Sequence, residues 1–332
     1  MNKYIFELLE MNSSNAGTKA KKDITEILKK EGFKEIFLDP DMNKFEKLFF
    51  APTIIKRKIR NIESGSEFVF QYPLYSKRFS KLFLSELFKR KDIRKKVIIH
   101  DLESLRLRKN DVSFLSKEIE DINQFDAIIS HNSHMTQWLI DNGIESNKIT
   151  NLGIFDYLNP NNLIDAKLDS GIIFAGNLKK SEFLKKVPQN LKMRLFGLNP
   201  PQLPNSTNLI YEGVFSPEEL PKYINGSFGL VWDGSSVERC DGVMGEYLKY
   251  NNPHKVSLYL SSGLPVIVWK KSAMADFVEQ NSVGIAVNSL TDLEESLMSL
   301  DENEYNKMKN NVRLLSEKVR TGGFIKKALQ IN

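Results

Sequence analysis

A chain of 332 residues is too long for one ordinary hydrophobic core and comfortable for two. With 41% hydrophobic residues, 27% charged residues and more Phe (21) than Gly (18), a long disordered stretch is not expected. The net charge of +5 is modest and no nucleic-acid recognition module is legible, so nucleic acid is not an expected partner. The single cysteine, Cys240, rules out an intrachain disulfide and fits a reducing, cytoplasmic setting.

The chain opens MNKYIFELLE, a short apolar stretch interrupted by Glu7 and Glu10, which reads as a first β-strand and not as a signal peptide. No uninterrupted apolar run approaches the length of a membrane span. Strands are expected over 4–8, 35–38, 67–71, 97–100, 127–130 and 149–153. Helical periodicity lies between them, over 19–31, 114–124 and 134–142, the last closed by Gly143. Residues 76–96 mix Lys and Arg with Phe and Leu. They read as a solvated helix face over a buried stripe, or as a helix touching anionic lipid.

Residues 155–170, rich in Asn, Asp and Pro, read as an interdomain linker. Beyond it, strands are expected over 171–175, 192–196, 208–212, 228–232, 265–269 and 284–287. Helices are expected over 217–223, 254–262, 274–280, 291–299, 302–318 and 324–330. Runs such as GIIFA, GLVW and PVIVW are apolar on both faces, as in parallel strands buried between helix layers. Repeated strand–helix units of this kind make a doubly wound α/β domain. The expected division is 1–155 and 168–318, with a final helix in 319–332 returning to the first domain.

In open α/β sheets ligands bind beyond the C-terminal ends of the strands, so those ends hold the candidate site residues. The loop NSSNAGTK after the first strand is rich in small residues and opens a helix whose free N–H groups suit an anion. His100 and Asp101 close the run VIIHD, where either a proton acceptor or a helix-capping Asp would stand. Asn177 and Lys180 follow GIIFAG, a turn that brings backbone donors and positive charge together. The richest segment runs from Trp232 through a long polar loop to Asn252, Pro253, His254 and Lys255. Pro253 is placed to start a helix, and the helix N-terminus would present N–H groups and partial positive charge to a diphosphate. Four histidines show no metal-ligand spacing, and no metal or other cofactor is expected.

At this segment the sequence resembles a known group. The run EYLKYNNPHKVSLYLSSGLPVIV is similar to bacterial galactofuranosyltransferases of polysaccharide synthesis. It resembles, more distantly, the glucosyltransferase acting on streptococcal serine-rich repeat adhesins. IIHDLESLR, FAGN and FGLVWDG support the likeness. It implies a GT-B-like α/β fold, two Rossmann-like doubly wound domains facing across a cleft, with UDP-sugar held by the second domain and a glycan acceptor, lipid-linked or protein-linked, by the first. By position, Ala16, Gly17 and Thr18 would lie near the donor. Phe215, Ser216, Pro217 and Glu218 would pass the nucleobase or ribose. Pro253, His254, Lys255, Val256, Ser257 and Leu258 would form the diphosphate-binding helix start. The implied reaction is an inverting hexosyl transfer, with Asp101 as the leading base beside His100, and Glu246 in the polar loop as an alternative. A non-catalytic nucleotide-sugar-binding or chaperone subunit is the rival reading. Peripheral contact with the inner membrane face and assembly into a homo-oligomer are both compatible with the likeness.

Overall fold

The computed structural model describes residues 1–8, 16–38, 51–74, 77–200, 202 and 208–331. The chain divides into two units, Met1–Leu152 with Ile325–Asn332, and Gly153–Phe324.

Unit 1 is built on six parallel strands: β1 (Lys3–Leu8), β2 (Lys34–Leu38), β3 (Glu67–Tyr72), β4 (Arg94–Ile99), β5 (Ala127–Ser130) and β6 (Ile149–Asn151). Their order is β2-β1-β3-β4-β5-β6, so the crossover between left-going and right-going strands lies between β1 and β3. Its helices are α1 (Ala16–Lys30), α2 (Ala51–Arg60), α3 (Lys77–Leu87), α4 (Val112–Asn123) and α5 (Ser133–Asp141). β3 is buried along its whole length, as expected of a strand covered on both faces. Phe83 of α3 fills the space above the sheet, its ring 4.0 Å from that of Phe6 and 5.5 Å from that of Phe70. Burying side chains of this size stabilises by roughly 1.5–3 kcal/mol each.

Two points differ from the sequence reading here. The basic stretch 76–96 is not one solvated helix: α3 ends at Leu87 and β4 begins at Arg94. Within it Lys96 is buried, its ammonium 2.8 Å from Glu67 and donating to the Leu329 carbonyl at 3.2 Å. Lys95 donates to the carbonyls of Arg90 and Ile93. Helix α2 was not foreseen; it buries Ile55 and Ile59 and leaves Lys56, Arg57 and Arg60 exposed.

Unit 2 has six further parallel strands: β7 (Ile172–Ala175), β8 (Met193–Phe196), β9 (Leu209–Gly213), β10 (Phe228–Val231), β11 (Val266–Trp269) and β12 (Gly284–Val287). Read as β9-β8-β7-β10-β11-β12, the sheet has the 3-2-1-4-5-6 order of a Rossmann fold, with its crossover between β7 and β10. Helices α6 (Gly242–Tyr247), α7 (His254–Ser261), α8 (Met274–Asn281), α9 (Leu293–Met298) and α10 (Glu302–Arg320) accompany it. The last helix, α11 (Gly323–Leu329), contributes its residues from Ile325 onward to unit 1. Among the described residues no helix is long and apolar enough to cross a membrane.

Unit 2 brings three further departures. Tyr157 and Ala166 are buried in its core, so the 155–170 stretch is packed and not a solvated tether. The expected helix over 217–223 is only a 3-10 turn, Leu220–Lys222, because Pro217 and Pro221 withhold backbone N–H donors. The polar loop after Trp232 contains α6, and Gly245 there lets the helix lie against the Cys240 backbone, where a Cβ would come within 2.6 Å.

Candidate functional site

The crossover of unit 2 is where a Rossmann sheet leaves room for a ligand, and its walls are the chain segments leaving β7 and β10. Gly176 follows β7, and its N–H donates to the Phe196 carbonyl. The Gly176 carbonyl lies so close to Gly197 (φ +138°) that a Cβ on Gly197 would sit 1.7 Å from that oxygen. Only a residue without a side chain permits this approach. Lys255, from the first turn of α7, lies over the Gly176 backbone; a Cβ at 176 would come 3.1 Å from its Cε. The Lys255 ammonium is 3.7 Å from the Asp233 carboxylate, which follows β10, and 4.5 Å from the Phe174 ring centroid. Both side chains of this loose pair are 20% exposed, so the cation is accessible and partly desolvated.

Helix α7 begins at Pro253, which has extended backbone angles and supplies no side-chain cap to the first turn. An uncapped N-terminus carries partial positive charge and N–H groups suited to an anion. The helix is anchored from below. Asn252 donates to the Gly153 carbonyl at 3.1 Å and Ser257 to the Phe155 carbonyl at 2.7 Å. Tyr259 accepts the Ala175 N–H at 2.8 Å, and its ring occupies the space where Gly229 has no Cβ. Val256 and Leu258 lie in the core, so any part they take in an anion site is through the backbone.

The His254 ring lies 4.9 Å from the Tyr157 ring, and the Tyr157 hydroxyl donates to the Pro217 carbonyl at 2.5 Å. Those contacts tie the α7 start to the segment Phe215, Ser216, Pro217, Glu218. There Phe215 stacks on Tyr223 at 4.1 Å and Ser216 donates to Glu219. Asn177 caps the short turn Leu178–Lys180, and Lys180 is exposed beside it. Thus Asn177, Asn252, Pro253, His254 and Lys255 stand on segments that meet at the crossover. Asp233 and Tyr259, from the segments already singled out in the sequence, join them, as do Tyr157 and Gly197, which carry no sequence signal. Glu246 lies on α6 in an ion pair with Lys249 at 2.7 Å. Cys240 is buried, and that burial pushes its thiol far up from its ordinary range. A cavity of about 640 Å³ elsewhere in unit 2 is lined by Asn161, Gly263, Lys309 and Arg320. Two of its cations are engaged, Lys309 by Asp165 and Arg320 by the carbonyls of Asn159 and Asn161, and Gly263 places it at the N-terminal end of β11, away from the C-terminal strand ends.

In unit 1 the corresponding strand ends carry side chains in hydrogen-bonded sets. His100 follows β4 and its Nε2 lies 2.9 Å from the Gln71 side-chain oxygen. Asp101 pairs with Arg106 at 2.9 Å, and Arg106 also pairs with Glu103. Glu118 is a buried carboxylate accepting from the Glu103 and Ser104 N–H groups, the Ser104 hydroxyl and the Tyr72 hydroxyl. His131 is fully buried with its ring N–H on the Ile99 carbonyl, and burial pulls its pKa down to about 4. Gly17 and Thr18 lie at the start of α1, Gly17 exposed; Ala16 begins that helix, and residues 12–15 of the NSSNAGTK loop fall outside the described residues. Among the described residues no group of three His, Cys, Asp or Glu is arranged to hold a metal ion.

The comparisons with known proteins agree with this architecture. The family model Glucosyltransferase 3-like, N-terminal domain, matches residues 2–154, and its C-terminal counterpart matches residues 172–331. The Beta-1,6-galactofuranosyltransferase WbbI of Escherichia coli strain K12 is 32% identical over 98% of this chain and 97% of its own length. Glucosyltransferase 3 of Streptococcus gordonii is 27% identical over 98% and 96%. Among solved structures, apo lipopolysaccharide outer core galactosyltransferase WaaB aligns with a TM-score of 0.58 at 11% identity, covering 98% of both chains. Trehalose-6-phosphate synthase OtsA aligns at 0.62 and 10%, covering 100% of both. At such identities the structures speak for the fold, which is GT-B. The two six-stranded sheets, the crossover site and these matches together place the chain in the glucosyltransferase 3-like family, as a glycosyltransferase.

Proposed function

We propose that the protein moves a hexosyl residue, galactofuranose or glucose, from a UDP-sugar to a hydroxyl of a glycan acceptor, with inversion. The observation that carries this reading is the accessible Lys255 ammonium at the uncapped start of α7, on a backbone wall of Gly176 and Gly197 at the Rossmann crossover. A diphosphate is the anion that fits such a wall, because charge, helix N–H groups and close backbone approach converge on it. As the sugar–phosphate bond breaks, UDP gains negative charge, and Lys255 with the helix start stabilises it. The names of the relatives support the two sugars: one is a galactofuranosyltransferase, the other a glucosyltransferase.

The acceptor hydroxyl must lose its proton as it attacks, and unit 1 offers His100 and Asp101 at the end of β4. Asp101 is engaged by the Arg106 guanidinium, so we assign the base to His100. Titration calorimetry with UDP tests the donor site. Losing a charge-assisted contact in Lys255→Ala is expected to weaken binding about 10- to 100-fold. Unaltered affinity in a folded variant would remove Lys255 from the scheme. Transfer assays with UDP-galactofuranose and UDP-glucose then decide the sugar, and absence of transfer from either would favour a binding subunit.

A further inference from the structure

Glu7, Thr25, Gln71 and His100 form a buried polar line near the C-terminal edge of the unit 1 sheet. Glu7 is on β1 and Gln71 on β3, neighbouring strands in the sheet, while His100 directly follows β4, the next one. All four are less than 9% exposed. The Gln71 side-chain nitrogen donates to the Lys21 carbonyl at 3.2 Å and to the Thr25 hydroxyl at 3.0 Å, and Thr25 in turn bonds Glu7. A carbonyl can only accept, so Lys21 fixes which end of the Gln71 amide is nitrogen. The other end, an oxygen that also can only accept, faces His100 Nε2 at 2.9 Å. A hydrogen bond across that distance requires the proton to be on Nε2.

We infer that Gln71 is a positioning residue for the transfer reaction: pinned by Lys21 and Thr25, it holds His100 as the Nε2–H tautomer and makes Nδ1 the basic nitrogen. The inference rests on the reading of His100 as the base. A histidine base needs one nitrogen deprotonated and correctly aimed, and a fixed partner on the other nitrogen supplies both conditions. An amide does this without adding charge. A carboxylate in its place would favour the imidazolium, which cannot accept a proton.

The experiment is a long-range ¹⁵N–¹H spectrum of the histidine rings in the full-length protein. With four histidines in the chain, His100→Gln assigns the signal. The expected wild-type spectrum shows His100 protonated at Nε2. In Gln71→Met the signal becomes a tautomer mixture, and kcat falls about tenfold or more while the donor KM stays within about twofold. Gln71→Glu keeps an acceptor for Nε2–H but adds a charge, so it is expected to hold the proton on Nε2 while raising the pH at which Nδ1 loses its own, moving the acid limb of the pH–rate profile upward. Should Gln71→Met fail to fold, Thr25→Val loosens the amide and is expected to move the spectrum the same way. A wild-type Nδ1–H tautomer, or an unchanged spectrum and turnover in Gln71→Met, overturns the inference even if His100→Gln is inactive. Full turnover in His100→Gln overturns the base assignment instead, whatever the tautomer.

Discussion

At the C-terminal edge of the unit 2 sheet, backbone meets backbone; at the same edge of unit 1, side chains bond side chains. Gly176 and Gly197 touch with no room for a Cβ, and Lys255 lies over that contact. In unit 1, Glu118 collects four donors and Gln71 links Thr25 to His100. The difference fits the roles proposed for the two edges. A diphosphate is the same for any UDP-sugar and is well served by main-chain N–H groups, which need no particular side chain. A reacting hydroxyl needs a proton acceptor in one orientation and one protonation state, which only side chains provide.

The contrast can be broken first at Gly197. Placing alanine there puts a Cβ into the Gly176 carbonyl at a φ that L-residues rarely adopt, and the expected loss is about 4 kcal/mol or more. Denaturant unfolding reads it, and a loss under about 1 kcal/mol would show that the backbone contact is soft. Next comes the neutral, buried His131. Its folded pKa of about 4 lies below the ordinary 6.5, so the unfolded chain takes up a proton first as pH falls. Stability therefore drops through that window and levels off below it, by about 3 kcal/mol in all. Urea unfolding of wild type and His131→Gln at pH 7 and pH 4 should show the drop in wild type alone, beyond the part both share.

Glu118→Gln sets an amide donor against groups that themselves donate, at an expected cost of about 2 kcal/mol. UDP affinity should not change, because Glu118 belongs to unit 1; a weakened affinity would contradict the division of labour. The smallest effect is expected from Tyr259→Phe, which strips the Ala175 N–H of its acceptor for about 1 kcal/mol. A melting-temperature comparison suffices to detect it.

The apolar runs announced the strands of both sheets, because parallel strands buried on two faces leave little room for polar residues. β4 was placed three residues late, since Arg94, Lys95 and Lys96 look solvated; Lys96 is neutralised by Glu67, a partner distant in sequence. Helix α6 was hidden by Gly242 and Gly245, residues of poor helix propensity that tertiary packing overrides. At the site, Pro253 and Lys255 were legible because a proline at a helix start is a local signal. Gly197 and Gln71 were not, because their roles arise from contacts with Gly176 and His100, more than twenty residues away in sequence.

Residues from Ile325 onward belong to unit 1, and they leave the ribosome only after every residue of unit 2. The Leu329 carbonyl that receives the buried Lys96 ammonium, and the Lys326 that pairs with Glu31, are therefore the last groups to reach unit 1. During synthesis unit 1 waits, short of these contacts, while unit 2 is made. A nascent chain arrested before residue 325 should accordingly carry a first unit more open to protease than the released protein does.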